Sequence, residues 1–253
     1  MNTIAIVQAR MGSTRLPGKV LAGICGKPML GFLLQRLRLA AELDKIVVAT
    51  TTSDEDDLLV EWLETNGVSY FRGSENDVLD RFWQCARIHD ADVVVRVTAD
   101  DPLKDPEIIG RALSELHATE CIDYVSNTIK PTFPEGLDIE VFTFQALTRA
   151  HKEATLLSER EHVTPYIWKN PKQFVLRCFG MEPNLSSWRW TVDKPEDLVF
   201  IRTVMSHFGN DINTSYKDII RLILSKPELA EINSGTVRNE GYLKTIAMEN
   251  GYE

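Results

Sequence analysis

No acidic residue occurs before Glu42, although Arg10, Arg15, Lys19, Lys27, Arg36 and Arg38 all do. In a chain of formal net charge -9 that leading block is an island of opposite sign, suited to a small anionic ligand. The overall balance, 37 Asp plus Glu against 28 Lys plus Arg, argues against nucleic acid or a membrane as partner, since either would need a basic stripe. Cysteine is sparse: Cys25, Cys85, Cys121 and Cys178 are scattered without a C-x-x-C pair. That argues against a disulfide framework or structural zinc and suggests reduced thiols in the cytoplasm. The histidines show no metal-ligand spacing, and no apolar run approaches the ~20 residues that span a bilayer. Absent too are a charged leader, internal repeats and a Gly/Pro/Ser-rich linker, so the expectation is one domain over residues 1–253.

What is present is alternation. Strand-like runs at 4–7, 46–50, 69–71 and 93–97 are separated by leucines and aromatics at helix spacing: Leu30, Leu33, Leu34 and Leu37, then Leu58, Leu59, Trp62 and Leu63. This predicts an α/β fold with a mainly parallel sheet covered by helices on both faces, its ligands beyond the carboxyl ends of the strands. Further along, the pattern predicts strands at 137–142, 174–179 and around 188–192, and helices at 143–154, 195–207 and 216–224. Ser158 to Glu161 reads as a capping box opening another helix. The tail beyond Pro227 carries no readable signal.

The first strand runs into Gln8-Ala9-Arg10-Met11-Gly12-Ser13-Thr14-Arg15-Leu16-Pro17-Gly18-Lys19. Glycines let backbone approach phosphate oxygens, and three cations neutralise phosphate charge, so this loop reads as a triphosphate cradle. An ordinary turn explains Leu16-Pro17-Gly18 but not three cations between apolar segments. It is not a Walker A loop, because G-x-x-x-x-G-K-[ST] is absent.

Arg96-Val97-Thr98-Ala99-Asp100-Asp101-Pro102 ends another strand, and a carboxylate there makes Asp100 a candidate Mg²⁺ ligand. Asp105 reads as the cap of a helix beginning at Pro106. In Trp188-Arg189-Trp190-Thr191-Val192-Asp193-Lys194-Pro195, local sequence alone makes Asp193 a helix cap. The polar loop at Arg72-Gly73-Ser74-Glu75-Asn76-Asp77 ends with a cap residue for the next helix.

Together these segments, with Pro134 to Val141, Ser158 to Pro165 and Thr191 to Asp197, resemble the 3-deoxy-manno-octulosonate and acylneuraminate cytidylyltransferase family. The closest likeness is to the branch typified by the spore coat polysaccharide biosynthesis protein F. The resemblance implies a Rossmann-like, three-layer nucleotidyltransferase fold and commonly a homodimer, with roughly 127–180 as an acceptor-binding and dimerisation insertion. It implies Mg²⁺ on Asp100 and Asp193, which raises Asp193 from cap to metal ligand. Arg10, Arg15 and Lys19 would grip the triphosphate, Arg15 and Lys19 as the catalytic cations. Gln8, Ala9, Gly12 and Ser13 would complete the nucleotide site, with Gly73 and Ser74 near the base. The octulosonate enzymes carry Gly-Asp-Glu-Pro where this chain has Ala99-Asp100-Asp101-Pro102, so the likeness speaks to activation chemistry more than to the acceptor.

The expected reaction is transfer of CMP from CTP to an acidic sugar or related acid, with pyrophosphate leaving. Arg96, Arg160, His162 and Arg189 are candidates to hold the acid group, and Glu135, Asp138 and Glu140 to bind hydroxyls or an amine. A helix face or dimer contact is the competing reading of Arg160 and His162. Two rivals remain: a sugar-nucleotide-dependent glycosyltransferase, which would not call for the Arg-Leu-Pro-Gly-Lys loop, and a silent nucleotide-binding protein, against which Lys19, Asp100 and Asp193 count.

Overall fold

The computed structural model describes residues 1–13, 15–119 and 121–251. The elements in order are β1 (Thr3–Gln8), β2 (Gly23–Ile24), β3 (Lys27–Pro28), α1 (Met29–Leu37), β4 (Lys45–Thr51), α2 (Asp57–Thr65), β5 (Tyr70–Gly73), α3 (Val78–Ile88), β6 (Val93–Thr98) and α4 (Pro106–His117). Then come β7 (Tyr124–Ser126), β8 (Glu140–Thr143), α5 (Phe144–Glu153), α6 (Leu157–His162), α7 (Pro165–Lys169), β9 (Leu176–Cys178), α8 (Pro195–Ser206), α9 (Tyr216–Ser225), α10 (Glu228–Glu231) and α11 (Glu240–Glu249).

Seven strands form one sheet in the order β5-β4-β1-β6-β8-β7-β9. β5, β4, β1 and β6 run parallel, whereas β8 is antiparallel to both β6 and β7. Alternation along β1 sends Ile4 and Ile6 into one apolar cluster, with Phe82 of α3 and Leu147 of α5. Ala5 and Val7 enter the other, with Leu33 of α1, Ile109 of α4 and Ile201 of α8. Helices therefore cover both faces, the three-layer α/β arrangement that strand-helix alternation predicts.

Four expected elements differ, one being the strand expected at 174–179, which forms only as β9 over Leu176–Cys178. The expected strand at 137–142 shortens to β8 because Asn127 pairs with the backbone before it, donating from Nδ2 to Leu137 O at 2.9 Å and accepting from Ile139 N at 2.8 Å. Residues 188–192 form no strand, only an isolated bridge between Arg189 and Glu135. α6 begins one residue before Ser158, and Glu159, not Glu161, reaches back to accept from the N–H groups of Thr155 and Leu156, both at 3.1 Å.

Candidate active site

The carboxyl ends of β1 and β6 adjoin, because Ala99 N donates to Gln8 O at 3.0 Å. Past β1 the loop folds on itself: the N–H groups of Ser13 and Gly18 both donate to Met11 O, at 2.8 and 3.0 Å. Gly18 takes φ 70°, in the left-handed region, and turns the chain so that Lys19 opens a short 3-10 turn. Thr14 lies outside the described residues. A second close approach depends on Gly136, at φ 103°, where a Cβ would stand 2.7 Å from Thr191 N. That packing, with Val192 N donating to Asp100 O at 2.8 Å, carries the 188–193 segment alongside the β6 turn and sets Asp193 near Asp100.

The two aspartates converge on one cation. Lys19 Nζ donates to Asp100 Oδ2 at 2.8 Å, Asp193 Oδ1 at 2.8 Å and Val192 O at 2.9 Å. Burial works against the charged amine, but Asp100 and then Asp193 outweigh it and hold its pKa above the ordinary value. Arg15 donates to the same Asp193 oxygen at 2.8 Å and to Glu240 at 2.6 Å. Burial opposes the ionised form of Asp193, yet Lys19, Arg15 and Arg189 lower its pKa.

Asp193 is not the cap of α8. The cap position is Lys194, and buried Asp197 Oδ2 accepts from the N–H groups of Asp193 and Lys194, both at 2.9 Å. The Asp193 side chain is left facing the cations. Asp77 does cap α3, accepting from Asp80 N at 2.9 Å, and Asp105 caps α4, accepting from Glu107 N at 3.0 Å.

Two clefts meet at this cluster. One, of about 520 Å³, is lined by Ala9, Arg10, Ser13 and Lys19, the other, of about 430 Å³, by Arg96, Glu135, Asp138 and Glu140. Gln8, Arg15, Asp100, His162 and Asp193 border both. The residues assigned from sequence to nucleotide and to acceptor thus fall largely on opposite sides of the two aspartates.

Several assigned residues lie elsewhere. Arg189 is buried behind Asp193, its guanidinium engaged by Glu135 at 2.7 Å, Asp193 at 2.8 Å and Asp197 at 2.9 Å, so it orients Asp193 and lines neither cleft. Arg160 ties α6 to α3 through Asp77, with a further 2.8 Å hydrogen bond to His151 O. Gly12, Gly73 and Ser74 do not line either cleft. Gly73 makes room for Arg81, Ser74 O accepts from Arg81 Nη1 at 2.6 Å, and a Cβ on Gly12 would come within 3.0 Å of Glu55. His162 does not offer a cation: burial, then Arg96, drive its pKa down to about 4, leaving a neutral ring that pairs with Thr245 Oγ1 at 3.1 Å.

In the cleft lined by Arg96 the carboxylates are already engaged. Glu140 accepts from Arg96 at 2.5 Å, Tyr124 at 2.7 Å and Thr164 at 2.5 Å. Glu135 accepts from Arg189 and, at 2.8 Å, from Asn239 N. Asp138 pairs with Arg238, and burial still lifts its pKa to about 6. Gln8 Oε1 and Arg96 Nε, both at the clefts, stay buried without a partner among the described residues. Arg81, buried in the helical stretch of α3, borders the cleft of the cationic loop with Arg10, its own Nε unpartnered among the described residues. Its helix spacing gave no signal of this, and the same is true of Glu240 and Tyr242 from the unreadable tail.

Among the described residues no three metal-ligating side chains cluster. The aspartate pair nonetheless suits Mg²⁺, which takes one or two carboxylates and completes its shell from substrate phosphates and water. Lys19 Nζ stands where their oxygens converge on positive charge, and Asp100 Oδ1 makes no hydrogen bond among the described residues.

Comparison with known proteins assigns the fold and chemistry. An uncharacterized protein of Methanocaldococcus jannaschii is 41% identical over 96% of this chain and 98% of its own length. Spore coat polysaccharide biosynthesis protein SpsF of Bacillus subtilis is 33% identical over 91% of this chain and 98% of its own. A solved cytidylyltransferase from Leptospira borgpetersenii serovar Hardjo-bovis superposes with a TM-score of 0.88 at 34% identity, covering 94% of this chain and 100% of that one. CMP:2-keto-3-deoxy-manno-octonic acid synthetase complexed with CTP shares the fold at a TM-score of 0.65 and 17% identity, over 82% of this chain and 100% of its own. Residues 4–241 match the family described as cytidylyltransferase. The chain belongs to the cytidylyltransferase family and is a CTP-dependent nucleotidyltransferase.

Proposed function

We propose that this enzyme transfers CMP from CTP to an acidic sugar or a related acid, releasing pyrophosphate, in the synthesis of a cell-surface polysaccharide or glycoconjugate. The observation that carries the reading is the pair of clefts meeting at Lys19, Asp100 and Asp193, one bordered by the cationic loop and the other by sugar-compatible polar groups. Its polysaccharide setting is supported by the name of the Bacillus subtilis relative. Arg96 supports an acid group on the acceptor: only Nη1 is bound to Glu140, and Nε is buried without a partner.

In this reading the acceptor oxygen attacks the α-phosphorus in line as the bond to pyrophosphate breaks, a reaction that needs positioning and charge neutralisation more than a protein nucleophile. Arg15 and Lys19 exchange their carboxylate partners for phosphate oxygens, stabilising the leaving pyrophosphate. Asp100 and Asp193 would hold Mg²⁺, which when bound supplies positive charge to the phosphates and Lewis acidity at the acceptor oxygen. Gln8 Oε1, at the junction of the clefts, has no partner among the described residues and can accept from substrate. The segment 127–180 contributes acceptor-side walls, and the enzyme works as a homodimer, to be checked by light scattering.

The test is pyrophosphate release with each nucleoside triphosphate against a panel of 2-keto-3-deoxy acids and other acidic sugars. CTP with one of the acids is the expected productive pair, and Lys19→Ala should reduce its turnover about a hundredfold. Turnover confined to neutral acceptors would overturn the acid assignment.

A further inference from the structure

Near its carboxyl end the chain forms α11, which returns over the active site. α11 buries only Thr245 and is held by polar contacts. Thr245 Oγ1 donates to Glu161 at 2.7 Å and pairs with His162 Nε2 at 3.1 Å, while Glu249 accepts from Ser158 Oγ at 3.0 Å. At its start, Asn239 N donates to Glu135 and Arg238 reaches Asp138, so the segment is tied to two carboxylates of the acceptor cleft.

This docking places the Tyr242 ring on the cleft. The ring stands edge-on to His162, with centroids 5.2 Å apart, and 6.0 Å from Trp168 of α7. Tyr242 and Trp168 border the acceptor cleft, whereas neither borders the nucleotide cleft. The cleft thus has an aromatic wall from α7 and α11 and, elsewhere around it, the carboxylates Asp101 and Asp138. A ring acceptor with one C–H face and a hydroxyl-rich edge matches both kinds of surface, since aromatic faces pack on apolar carbon while carboxylates accept from hydroxyls.

We infer that α11 is an acceptor-selecting wall, with Tyr242 as its specificity-determining residue toward sugar-ring acids. The inference rests on the transferase reading above. Tyr242 acts by its ring, which is packed beside His162 and Trp168 at the cleft, and it acts on the acceptor without touching CTP.

The experiment is steady-state kinetics of the full chain with CTP, Mg²⁺ and the best acid found among the 2-keto-3-deoxy sugar acids, comparing Tyr242→Ala, Tyr242→Phe and Thr245→Val. Tyr242→Ala should raise the KM for the acid roughly tenfold, the size of one aromatic packing contact, with the KM for CTP within about twofold. Tyr242→Phe should match the unaltered enzyme, and Thr245→Val, which loosens α11 without removing the ring, should move only the acceptor KM. Melting with and without Mg-CTP checks each variant: an unchanged nucleotide-induced shift shows that the nucleotide cleft is intact. An unchanged acceptor KM in Tyr242→Ala, or an equal rise in both KM values, would overturn the inference. Failure of the unaltered enzyme to release pyrophosphate with any acid would instead overturn the acidic-acceptor reading beneath it.

Discussion

Asp193 and Asp197 stand four residues apart and divide two jobs that local sequence assigns to one residue. Asp197 is fully buried, caps α8 through the N–H groups of Asp193 and Lys194, and pairs with Arg189 and Asn233. Asp193 makes no cap contact and faces Lys19 and Arg15. Removing a partner from a buried, hydrogen-bonded ion pair leaves uncompensated charge, so Asp197→Ala should cost about 3 kcal/mol or more in urea unfolding. Asp193→Asn keeps the shape and the Arg189 contact, so its loss of stability should be smaller. Its turnover should nonetheless fall roughly a hundredfold and demand more Mg²⁺, with Asp100→Asn behaving alike. Near-normal, Mg²⁺-indifferent turnover in Asp193→Asn would remove it from the metal site.

At the scale of elements, α6 carries the cleft wall and α11 fastens it. His162 sits between them facing Arg96 of β6, Glu140 of β8, Glu161 on its own helix and Glu249 of α11, and burial holds its pKa near 4 against an ordinary 6.5. The unfolded chain therefore binds a proton that the folded chain does not between those values. The contribution is complete above about pH 6.5 and is lost as pH falls toward 4. Asp138 runs the other way: its pKa is raised from 3.8 to about 6, so its contribution is complete below 3.8 and lost as pH rises through 6. Urea melts should show His162→Gln flattening the acid limb by about 2 kcal/mol between about pH 7 and pH 5, and Asp138→Asn steepening it. Equal acid limbs in His162→Gln and the unaltered protein would mean that folding does not lower the pKa of His162.

The whole molecule shows which of these features local sequence can express. Period-2 and period-3.6 patterns record burial on a sheet or helix face, so β1, β4, β6 and helices such as α1 and α8 were legible, and so was the cationic loop, where three charges interrupt apolar runs. Roles created by distant packing were not. Arg189 looked available to an acceptor because nothing near it announces Glu135, more than fifty residues away. Glu240 and Tyr242 gain meaning only when α11 lands on α6. The same long-range closure governs how the molecule should respond to its substrate. Without nucleotide, Lys19 and Arg15 are already neutralised by Asp100, Asp193 and Glu240, so the folded site has little unpaired charge. On the proposed reading, Mg-CTP would replace one set of ion pairs with another, with phosphates taking the cations and Asp100 and Asp193 holding the metal. Binding energy should appear as added stability, about 2.7 kcal/mol at ~100 times the dissociation constant. CTP without Mg²⁺ would leave the aspartates facing phosphate, and Mg²⁺ alone would leave the cations without new partners, so each should shift the melting temperature less than the pair together. Calorimetric melts with CTP, Mg²⁺ and both decide this. Equal shifts from CTP with and without Mg²⁺ would mean that the aspartates keep Lys19 and Arg15 throughout, and that the exchange of ion pairs does not occur.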